Sequence, residues 1–214
     1  MNNHTLQFWL LLLALLVSLP WPGVVVAQGE AQSAGFSAEE LEQIVAPIAL
    51  YPDSLLAQVF MASTYPLEIV EAGRWTEKHP GLKDKALEDA LKEQTWDASV
   101  KSLVAFPQVL TMMNEELAWT QKLGDAVLAQ QSDVMDAVQR LRGKAKAQGN
   151  LESGEQQTVI VEQAPQGEPA IIRIEQASPQ VVYVPTYNPA VVYGSWPYPS
   201  YPPYSYCPPG YTAA

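Results

Sequence analysis

Residues 44–58 read Ile-Val-Ala-Pro-Ile-Ala-Leu-Tyr-Pro-Asp-Ser-Leu-Leu-Ala-Gln, and the two prolines in this stretch decide how the chain begins to fold. Pro47 has no backbone N–H and clashes with the preceding turn, so a helix that runs into it should bend or end near Ala46. Pro52 follows Tyr51 and suits the first turn of a new helix, where its missing N–H would have no intrahelical partner. The stretch therefore predicts a helix, a corner and a second helix.

The residues before this stretch supply the start of the first helix. Ser37 and, three residues later, Glu40 form the pattern of a capping box, in which each side chain accepts a hydrogen bond from the other residue's backbone. Apolar residues then recur at the spacing of one helical face: Leu41, Ile44, Val45 and Ile48. We expect the first helix to begin after Ser37.

The aromatic-proline pair recurs twice downstream, as Tyr65-Pro66 and Phe106-Pro107. Each pair predicts another helix start, because proline suits the first turn and pushes the preceding residue toward extended backbone. Residues 82–94 carry apolar residues on one face and oppositely charged pairs on the other, which is typical of a surface helix.

The helical region extends to about residue 149. Asp97 should cap a short helix, and the longest helix should follow Pro107, with a restart near Ser132. Cations near the end of this helix complement its dipole, and they are Arg140, Arg142, Lys144 and Lys146. We therefore predict a mainly α, multi-helix domain with proline-initiated helices over residues 36–149.

The composition then changes, and β-branched residues replace the helical pattern. Residues 158–161 (Thr-Val-Ile-Val) and 170–174 (Ala-Ile-Ile-Arg-Ile) are separated by a loop that contains proline and glycine, which predicts a β-hairpin. The pattern Pro-x-Val-Val-Tyr appears at residues 179–183 and again at 189–193. We predict a small antiparallel meander of three or four strands within residues 150–195.

Proline and tyrosine dominate the end of the chain. Residues 179–214 contain 9 of the 18 prolines, 8 of the 10 tyrosines and no charged residue. From Trp196 onward, prolines alternate with aromatic residues, which leaves too few N–H donors for a β-ladder and favours an extended, polyproline-like backbone. We predict that residues 196–214 form a disordered tail rich in proline and tyrosine.

Residues 8–19 form an apolar run interrupted only by Ser18, and two prolines follow it. Together with the small residues up to Ala27, this run is typical of a secretory signal peptide cleaved after Ala27. A membrane-spanning helix is the alternative, but the run is shorter than the ~20 apolar residues that cross a bilayer. We predict a signal peptide over residues 1–27, a flexible N-terminus over 28–35, and export to the periplasm or cell envelope without a stable transmembrane anchor.

The charge and the content of cysteine and histidine exclude several classes of function. The chain has 23 acidic and 12 basic residues, so we do not expect nucleic acid as a partner. Cys207 is the single cysteine, and it cannot form an intrachain disulfide. His79 is the single histidine after residue 27, so metal-binding residue types are not clustered. We predict no metal site and no cofactor.

Two carboxylates are the best candidates for catalysis, although neither belongs to a recognisable catalytic motif. Asp53 and Glu68 lie beside the aromatic-proline corners, where a hydrolase could bring an acid and a base together in a cleft. In the alternative interpretation, which we favour, Asp53 caps its helix, and Glu68 and Glu71 face solvent. Three tryptophans could stack on sugars, but their helical spacing among apolar residues favours the core: Trp75, Trp96 and Trp119.

Long motifs in residues 37–75, 106–114, 133–142 and 183–189 include Ala-Leu-Tyr-Pro-Asp-Ser and Tyr-Val-Pro-Thr-Tyr-Asn-Pro. With these motifs the chain resembles the bacterial Domain of Unknown Function 3300 family, and the resemblance covers about residues 36–211. It implies an exported protein of Gram-negative bacteria. It brings no assigned activity, substrate or catalytic residue.

The lack of a reactive constellation and the aromatic, uncharged end of the chain favour a non-catalytic binding or structural module of the cell envelope. Its partner would be an envelope protein or a cell-wall polymer, since proline-stiffened segments lose little entropy on binding. The residues expected to contact this partner are aromatic: Trp196, Tyr198, Tyr201 and Tyr204. The alternative is a periplasmic hydrolase or cell-wall-active enzyme that uses Asp53 and Glu68.

Overall fold

The structure is a computed structural model, and it describes residues 35–163, 170–178 and 181–206. In these residues the chain forms seven helices, a two-stranded hairpin and an eighth, short helix. In chain order they are α1 (Ala38–Val45), α2 (Asp53–Ser63), α3 (Pro66–Lys78), α4 (Asp84–Lys92), α5 (Ala98–Leu103), α6 (Pro107–Glu115), α7 (Leu117–Ala147), β1 (Gln157–Glu162), β2 (Ile171–Gln176) and α8 (Pro189–Val192). The prediction of a mainly α fold followed by a β-hairpin is confirmed. The predicted signal peptide and most of the flexible N-terminus lie outside the described residues.

The first helices begin where the sequence predicts. Ser37 Oγ accepts a hydrogen bond from the Glu40 N–H at 3.3 Å, and Glu40 Oε2 accepts one from the Ser37 N–H at 3.1 Å. These two bonds complete the capping box of α1. Helices α3 and α6 start at Pro66 and Pro107, and α2 starts directly after Pro52. The aromatic-proline pairs therefore mark three helix starts, as predicted.

Helix α7 is the central element of the fold. It packs against α1 and α2, while α2 also contacts α5 and α3 contacts α6. Gly124 permits the close approach of α7 to α2, because a Cβ atom at this position would lie 2.3 Å from the carbonyl oxygen of Ser63. Buried apolar residues from these helices and from β2 form one hydrophobic core.

The helix predicted to follow Pro107 is interrupted twice. Glu116, with φ −99° and ψ 52°, separates α6 from α7, and no proline or glycine marks this break in the sequence. Gln130, with φ −146° and ψ 51°, interrupts α7 close to Ser132, where the sequence predicts a restart. The Gln130 side chain accepts a hydrogen bond from the Phe36 N–H at 2.6 Å. The kink therefore ties α7 to the segment before α1.

The hairpin covers one side of the helical core. Strands β1 and β2 pair in antiparallel register, and β2 contacts α2 and α7 through the buried residues Ile172 and Ile174. Within the described residues the sheet has two strands, so the predicted three or four strands were wrong in number. Pro189 begins α8 instead of a strand, because the Asn188 side chain caps the helix by accepting a hydrogen bond from the Ala190 N–H at 3.0 Å.

The chain after α8 lies against the helices. Aromatic residues of this segment pack partly against the core: Trp196, Tyr204 and Tyr206. The Tyr204 N–H donates to the Gln43 carbonyl at 3.4 Å, and the Gln43 side-chain amide donates to the Pro202 carbonyl at 2.7 Å. Residues 196–206 are therefore attached to the helical body instead of leaving it as the predicted tail. Residues 207–214 lie outside the described part of the chain.

Candidate functional site

The backbone between α1 and α2 forms a largely buried corner, which we define as residues 46–51. The proline of this corner has no N–H to donate to the Gln43 carbonyl, and the Tyr204 N–H donates to it instead. The Ile44 carbonyl accepts a hydrogen bond from the indole N–H of Trp119 at 2.8 Å. Buried backbone groups need partners, and here residues far along the chain provide them.

Two tyrosines from the segment around α8 bind the same corner. The hydroxyls of Tyr187 and Tyr193 both donate to the Ala46 carbonyl, at 3.0 and 2.7 Å. The Leu50 N–H donates to the Tyr187 hydroxyl at 3.3 Å. Burial raises the pKa of Tyr187 and Tyr193, and also that of Tyr51. All three hydroxyls are therefore protonated at neutral pH and can act as donors.

Arg142 completes the corner from α7. Its side chain is 1% exposed, and its Nε donates to the Ala49 carbonyl at 2.8 Å. The Nη2 atom donates to the Tyr51 carbonyl at 3.0 Å, and Nη1 donates to the Ile172 carbonyl at 2.9 Å. Nη1 also forms an ion pair with Asp53 Oδ1 at 2.6 Å. The guanidinium fork thus joins α7, the corner, α2 and β2.

A second buried charge lies in α1. The side chain of Glu42 is 1% exposed, and it accepts hydrogen bonds from Arg140 Nε at 2.6 Å and from Lys144 Nζ at 2.5 Å. A carboxylate removed from water requires cations and hydrogen bonds in compensation, and these two residues supply both. From the sequence alone, the basic residues near the end of α7 are assigned to the helix dipole. In the structure Arg140, Arg142 and Lys144 have specific partners instead.

The two carboxylates considered for catalysis lie in different helices and hold different partners. Asp53 is the first residue of α2, where it pairs with Arg142 and does not cap the helix with its side chain. Glu68 of α3 accepts a hydrogen bond at 2.6 Å from the backbone N–H of Asp97, which is the N-cap of α5. None of the described contacts joins Asp53 to Glu68. Each acid therefore joins its own helix to another one: Asp53 joins α2 to α7, and Glu68 joins α3 to the start of α5.

The tryptophans mainly belong to the framework as well. Trp96 and Trp119 are buried, which confirms their interpretation as core residues. The indole N–H of Trp96 donates to Glu71 Oε2 at 3.0 Å, so this glutamate has a protein partner in addition to solvent. Trp75 is partly buried, and its ring stacks on His79 with the centroids 4.3 Å apart. One stacking surface of Trp75 is therefore already covered.

The residues predicted to bind a partner form an aromatic face, which we define as Trp196, Tyr198 and Tyr201. All three are partly exposed. The indole N–H of Trp196 donates to the Tyr201 carbonyl at 2.8 Å, and the Tyr198 ring lies edge-on to Trp196 with the centroids 5.9 Å apart. Lys144 Nζ lies 5.5 Å from the Trp196 ring centroid and 5.3 Å from that of Tyr198. Tyr204, the fourth predicted residue, is held by its backbone on α1.

A shallow cleft lies beside the corner. It is lined by Pro47, Tyr51, Gln108, Met112, residues 184–187 and Tyr206, none of which carries a formal charge. The cleft encloses about 20 Å³, which is room for about one water molecule. Pockets for small-molecule ligands are usually far larger, roughly 300–1,000 Å³. The cleft is therefore too small to enclose a ligand of that size.

From the sequence, Arg142 is placed only among the cations near the helix end, and neither Glu42 nor the cleft is identified. A signal for Arg142 existed, because it follows Val138 by four residues and precedes Ala145 by three, which places it on the buried face of α7. A cation on an apolar stripe needs a buried partner. The cleft had no comparable signal, because its walls come from three regions that are far apart in the sequence.

Two further observations concern the chemistry of the described residues. They contain no group of three or more His, Cys, Asp or Glu side chains that could hold a metal ion. No helix within the described ranges has both the length and the apolar character needed to cross a membrane. Cys207 lies outside these ranges.

Comparison with known proteins identifies the family. The family described as "Protein of unknown function (DUF3300)" matches residues 37–214. The chain is also 47% identical over 200 residues to "Uncharacterized protein YacH" of Escherichia coli strain K12, in an alignment that covers 81% of this chain and 32% of that protein. The chain thus spans about a third of the length of that relative. No solved structure matches the chain. The chain belongs to the DUF3300 family.

Proposed function

We propose that this protein is a non-catalytic binding or structural module of the cell envelope. The observation that carries the proposal is that both candidate catalytic acids bind other parts of the fold. Asp53 pairs with the buried Arg142, and Glu68 binds the N-terminus of α5. An acid used in hydrolysis must act on a substrate in a cleft, together with a second group at a set separation. Neither residue lines the cleft.

The aromatic face supports the binding role. The Trp196 ring is held by the hydrogen bond from its indole N–H to the Tyr201 carbonyl, and the ammonium group of Lys144 lies over the rings of Trp196 and Tyr198. These two rings therefore need little further ordering when a partner binds. Aromatic rings offer a large contact area at a low cost in conformational entropy. The segment around them, residues 181–206, contains no charged residue. We propose an envelope protein or a cell-wall polymer as the partner.

Export is part of the proposal. Its support is the apolar run at residues 8–19, which has the length and the following small residues of a signal peptide. Protein recovered from the envelope should begin at Gln28. Recovery of intact Met1 from a carbonate-resistant membrane fraction would contradict this part of the proposal.

The experiment that tests the binding role is crosslinking in living cells from a photoreactive residue at Tyr201. A matched control places the same residue at Lys85 of α4, where the side chain is 82% exposed and far from the aromatic face along the chain. We expect a defined envelope protein or cell-wall fragment from position 201 and none of it from position 85. Equal capture at both positions would refute the role of the aromatic face. So would capture from position 201 that persists unchanged when Tyr198 is changed to Ser.

The hydrolase alternative is best tested at Glu68. Glu68→Gln retains an oxygen that can accept the hydrogen bond from the Asp97 N–H, so the fold should persist. We expect the cellular phenotype to persist as well, whereas loss of an essential acid or base lowers a rate at least ~10²-fold. Asp53→Asn is less decisive, because it also weakens the ion pair of Arg142. Its result is interpretable only beside a measurement of unfolding.

A further inference from the structure

We infer that the aromatic face binds an acidic saccharide and that Lys144 pairs with its carboxylate. This inference rests on the proposed binding role, and it selects a cell-wall polymer over an envelope protein as the partner. The three residues of the face carry no formal charge. The ammonium group beside them therefore decides which ligands the face prefers.

Lys144 is a neighbour of both rings that form the centre of the face. The rings of Trp196 and Tyr198 are nearly perpendicular, at 89°, with their centroids 5.9 Å apart. Lys144 Nζ lies 5.5 Å from the first centroid and 5.3 Å from the second. A ligand that pairs with this ammonium group is therefore within reach of both rings.

The ammonium group of Lys144 still has N–H groups to offer. An ammonium group can donate three hydrogen bonds, and the described bonds of Lys144 use one of them, to Glu42 Oε2 at 2.5 Å. Its side chain is 30% exposed, so a ligand can reach it from solvent. Lysine binds anions as a point charge and does not require one fixed geometry. Lys144 can therefore keep its bond to Glu42 and also pair with a ligand.

The charges around Lys144 favour an anionic ligand. The carboxylate of Glu42 also pairs with Arg140 at 2.6 Å, so two cations share one buried anion and one positive charge is left over. Glu39, in the preceding turn of α1, interacts electrostatically with Arg140, which leaves Lys144 as the cation available to a ligand. Residues 181–206 contain no acid that could compete for it. An anion is the complementary ligand.

A sugar acid fits this arrangement better than an acidic peptide does. A sugar ring has a flat apolar face that can pack on an aromatic ring, and in a sugar acid the carboxylate is attached directly to that ring. Contact with Trp196 or Tyr198 and the ion pair with Lys144 can thus form together on one rigid unit. A glutamate side chain of a peptide would lose more conformational entropy, because its rotatable bonds must be ordered.

The test compares two tetrasaccharides that differ only in charge. These are cellotetraose, which is neutral, and its C6-oxidised form, a tetramer of glucuronic acid. Each is titrated into the purified, isotope-labelled protein at 0.15 M salt, where charges more than about 8 Å away are largely screened. We expect the acidic tetramer to shift the nuclear magnetic resonance signal of the Trp196 indole N–H and to bind about fivefold more tightly, the gain from one exposed ion pair.

Substitutions in α7 assign the preference to one side chain. Lys144→Gln removes the charge and keeps an amide that can donate to Glu42, so we expect it to bind both tetramers equally. Lys144→Arg keeps the charge and should keep the preference. The matched control is Lys122→Gln. Lys122 is also in α7, is 33% exposed and lies 3.9 Å from a carboxylate of Glu40, but it is about six turns away along the helix. This variant should bind like the wild type.

Several outcomes would overturn the inference. They are equal binding of the two tetramers by the wild type, no shift at the aromatic face at millimolar acidic tetramer, and a preference that survives in Lys144→Gln. Tetraglutamate that binds the same residues as tightly as the acidic tetramer would show that the ligand is a peptide. Capture of an envelope protein from position 201 would likewise contradict the saccharide and still support the binding role. Equal capture from positions 201 and 85 would contradict the binding role itself.

Discussion

The corner and helix α4 differ in both regularity and burial. The corner has irregular backbone, yet nearly all of its residues are buried. Helix α4 has regular backbone with a strong separation of apolar and charged faces, yet none of its residues is buried. Leu87 and Leu91 pack only partly against the core. A helix satisfies its own backbone groups locally, so α4 needs few tertiary partners.

The corner satisfies only part of its own backbone. The N–H groups of Ile48, Ala49 and Tyr51 bond to nearby carbonyls, but several of its carbonyls and the Leu50 N–H have their partners in distant parts of the chain. Its carbonyl and N–H groups, with those at the end of α1, are paired by Trp119, Arg142, Tyr187, Tyr193 and Tyr204. These residues come from α7 and from the proline- and tyrosine-rich end. The segment that carries the aromatic face and one wall of the cleft is therefore part of the structural core. Irregular backbone in this protein holds the candidate binding surfaces in place.

The substitution Arg142→Met should have the largest effect on this comparison. It leaves the carbonyls of Ala49, Tyr51 and Ile172 without their guanidinium donor in a buried site. We expect the free energy of unfolding to fall by about 3–5 kcal/mol, measured by urea denaturation. Arg140→Met is the control, because Arg140 is 40% exposed and Glu42 would keep Lys144, so the loss should be about 1 kcal/mol. Equal decreases in the free energy of unfolding for the two variants would show that the hydrogen bonds of Arg142 to the corner do not contribute more to stability than an exposed ion pair.

Two tyrosine substitutions distinguish the contributions of individual hydrogen bonds to the corner. Tyr187→Phe removes both the donor to the Ala46 carbonyl and the acceptor for the buried Leu50 N–H. We expect a loss of about 1–3 kcal/mol in the free energy of unfolding. Tyr193→Phe should cost less, about 0.5–1.5 kcal/mol, because the Ala46 carbonyl still accepts from Tyr187. The reverse order would mean that the N–H of Leu50 finds another partner.

Alkaline pH should weaken the corner through its buried tyrosines. Burial raises the pKa of Tyr51 in the folded state, and the neighbouring Tyr187 raises it further. The stabilisation is complete below the unfolded-state pKa of about 10, and it is lost as the pH rises above that value, because the unfolded chain then releases the proton first. Tyr51→Phe should reduce the loss of stability by about 1.4 kcal/mol per pH unit above pH 10. Parallel curves for the two proteins, from denaturation at several pH values, would contradict this assignment.

Much of the fold could be predicted because its signals are local. The capping box at Ser37, the proline-initiated helices and the β-branched runs each involve residues a few positions apart. Pro47 correctly predicted that α1 would end, since α1 stops at Val45. The strand predicted at residues 189–193 was a misreading of a local signal, because the Asn188-Pro189 pair is itself a helix start.

The candidate site could not be predicted to the same degree, because its contacts are long-range. The sequence shows that Pro47 cannot donate a hydrogen bond to the Gln43 carbonyl. It does not show that the backbone N–H of Tyr204, more than 150 residues further along the chain, donates to this carbonyl instead. The break between α6 and α7 at Glu116 likewise could not be predicted, because no proline or glycine lies there. The sequence makes Asp53 a candidate catalytic acid, and only the fold shows that its carboxylate pairs with Arg142. The identity of partners requires tertiary structure.

The smallest effect should follow from Asp89→Asn in α4. Hydrogen bonds from Lys92 and Lys85 lower the pKa of Asp89, with Nζ–carboxylate distances of 2.6 and 3.1 Å. A lowered pKa stabilises the fold at pH values above about 4, the ordinary value, and this contribution is lost as the pH falls through the lowered pKa. These side chains are largely exposed, so solvent and salt screen the interaction at neutral pH. We expect the thermal midpoint at pH 7 to equal that of the wild type within error. A decrease as large as that for Tyr187→Phe would show that α4 is coupled to the core and would remove the contrast with the corner.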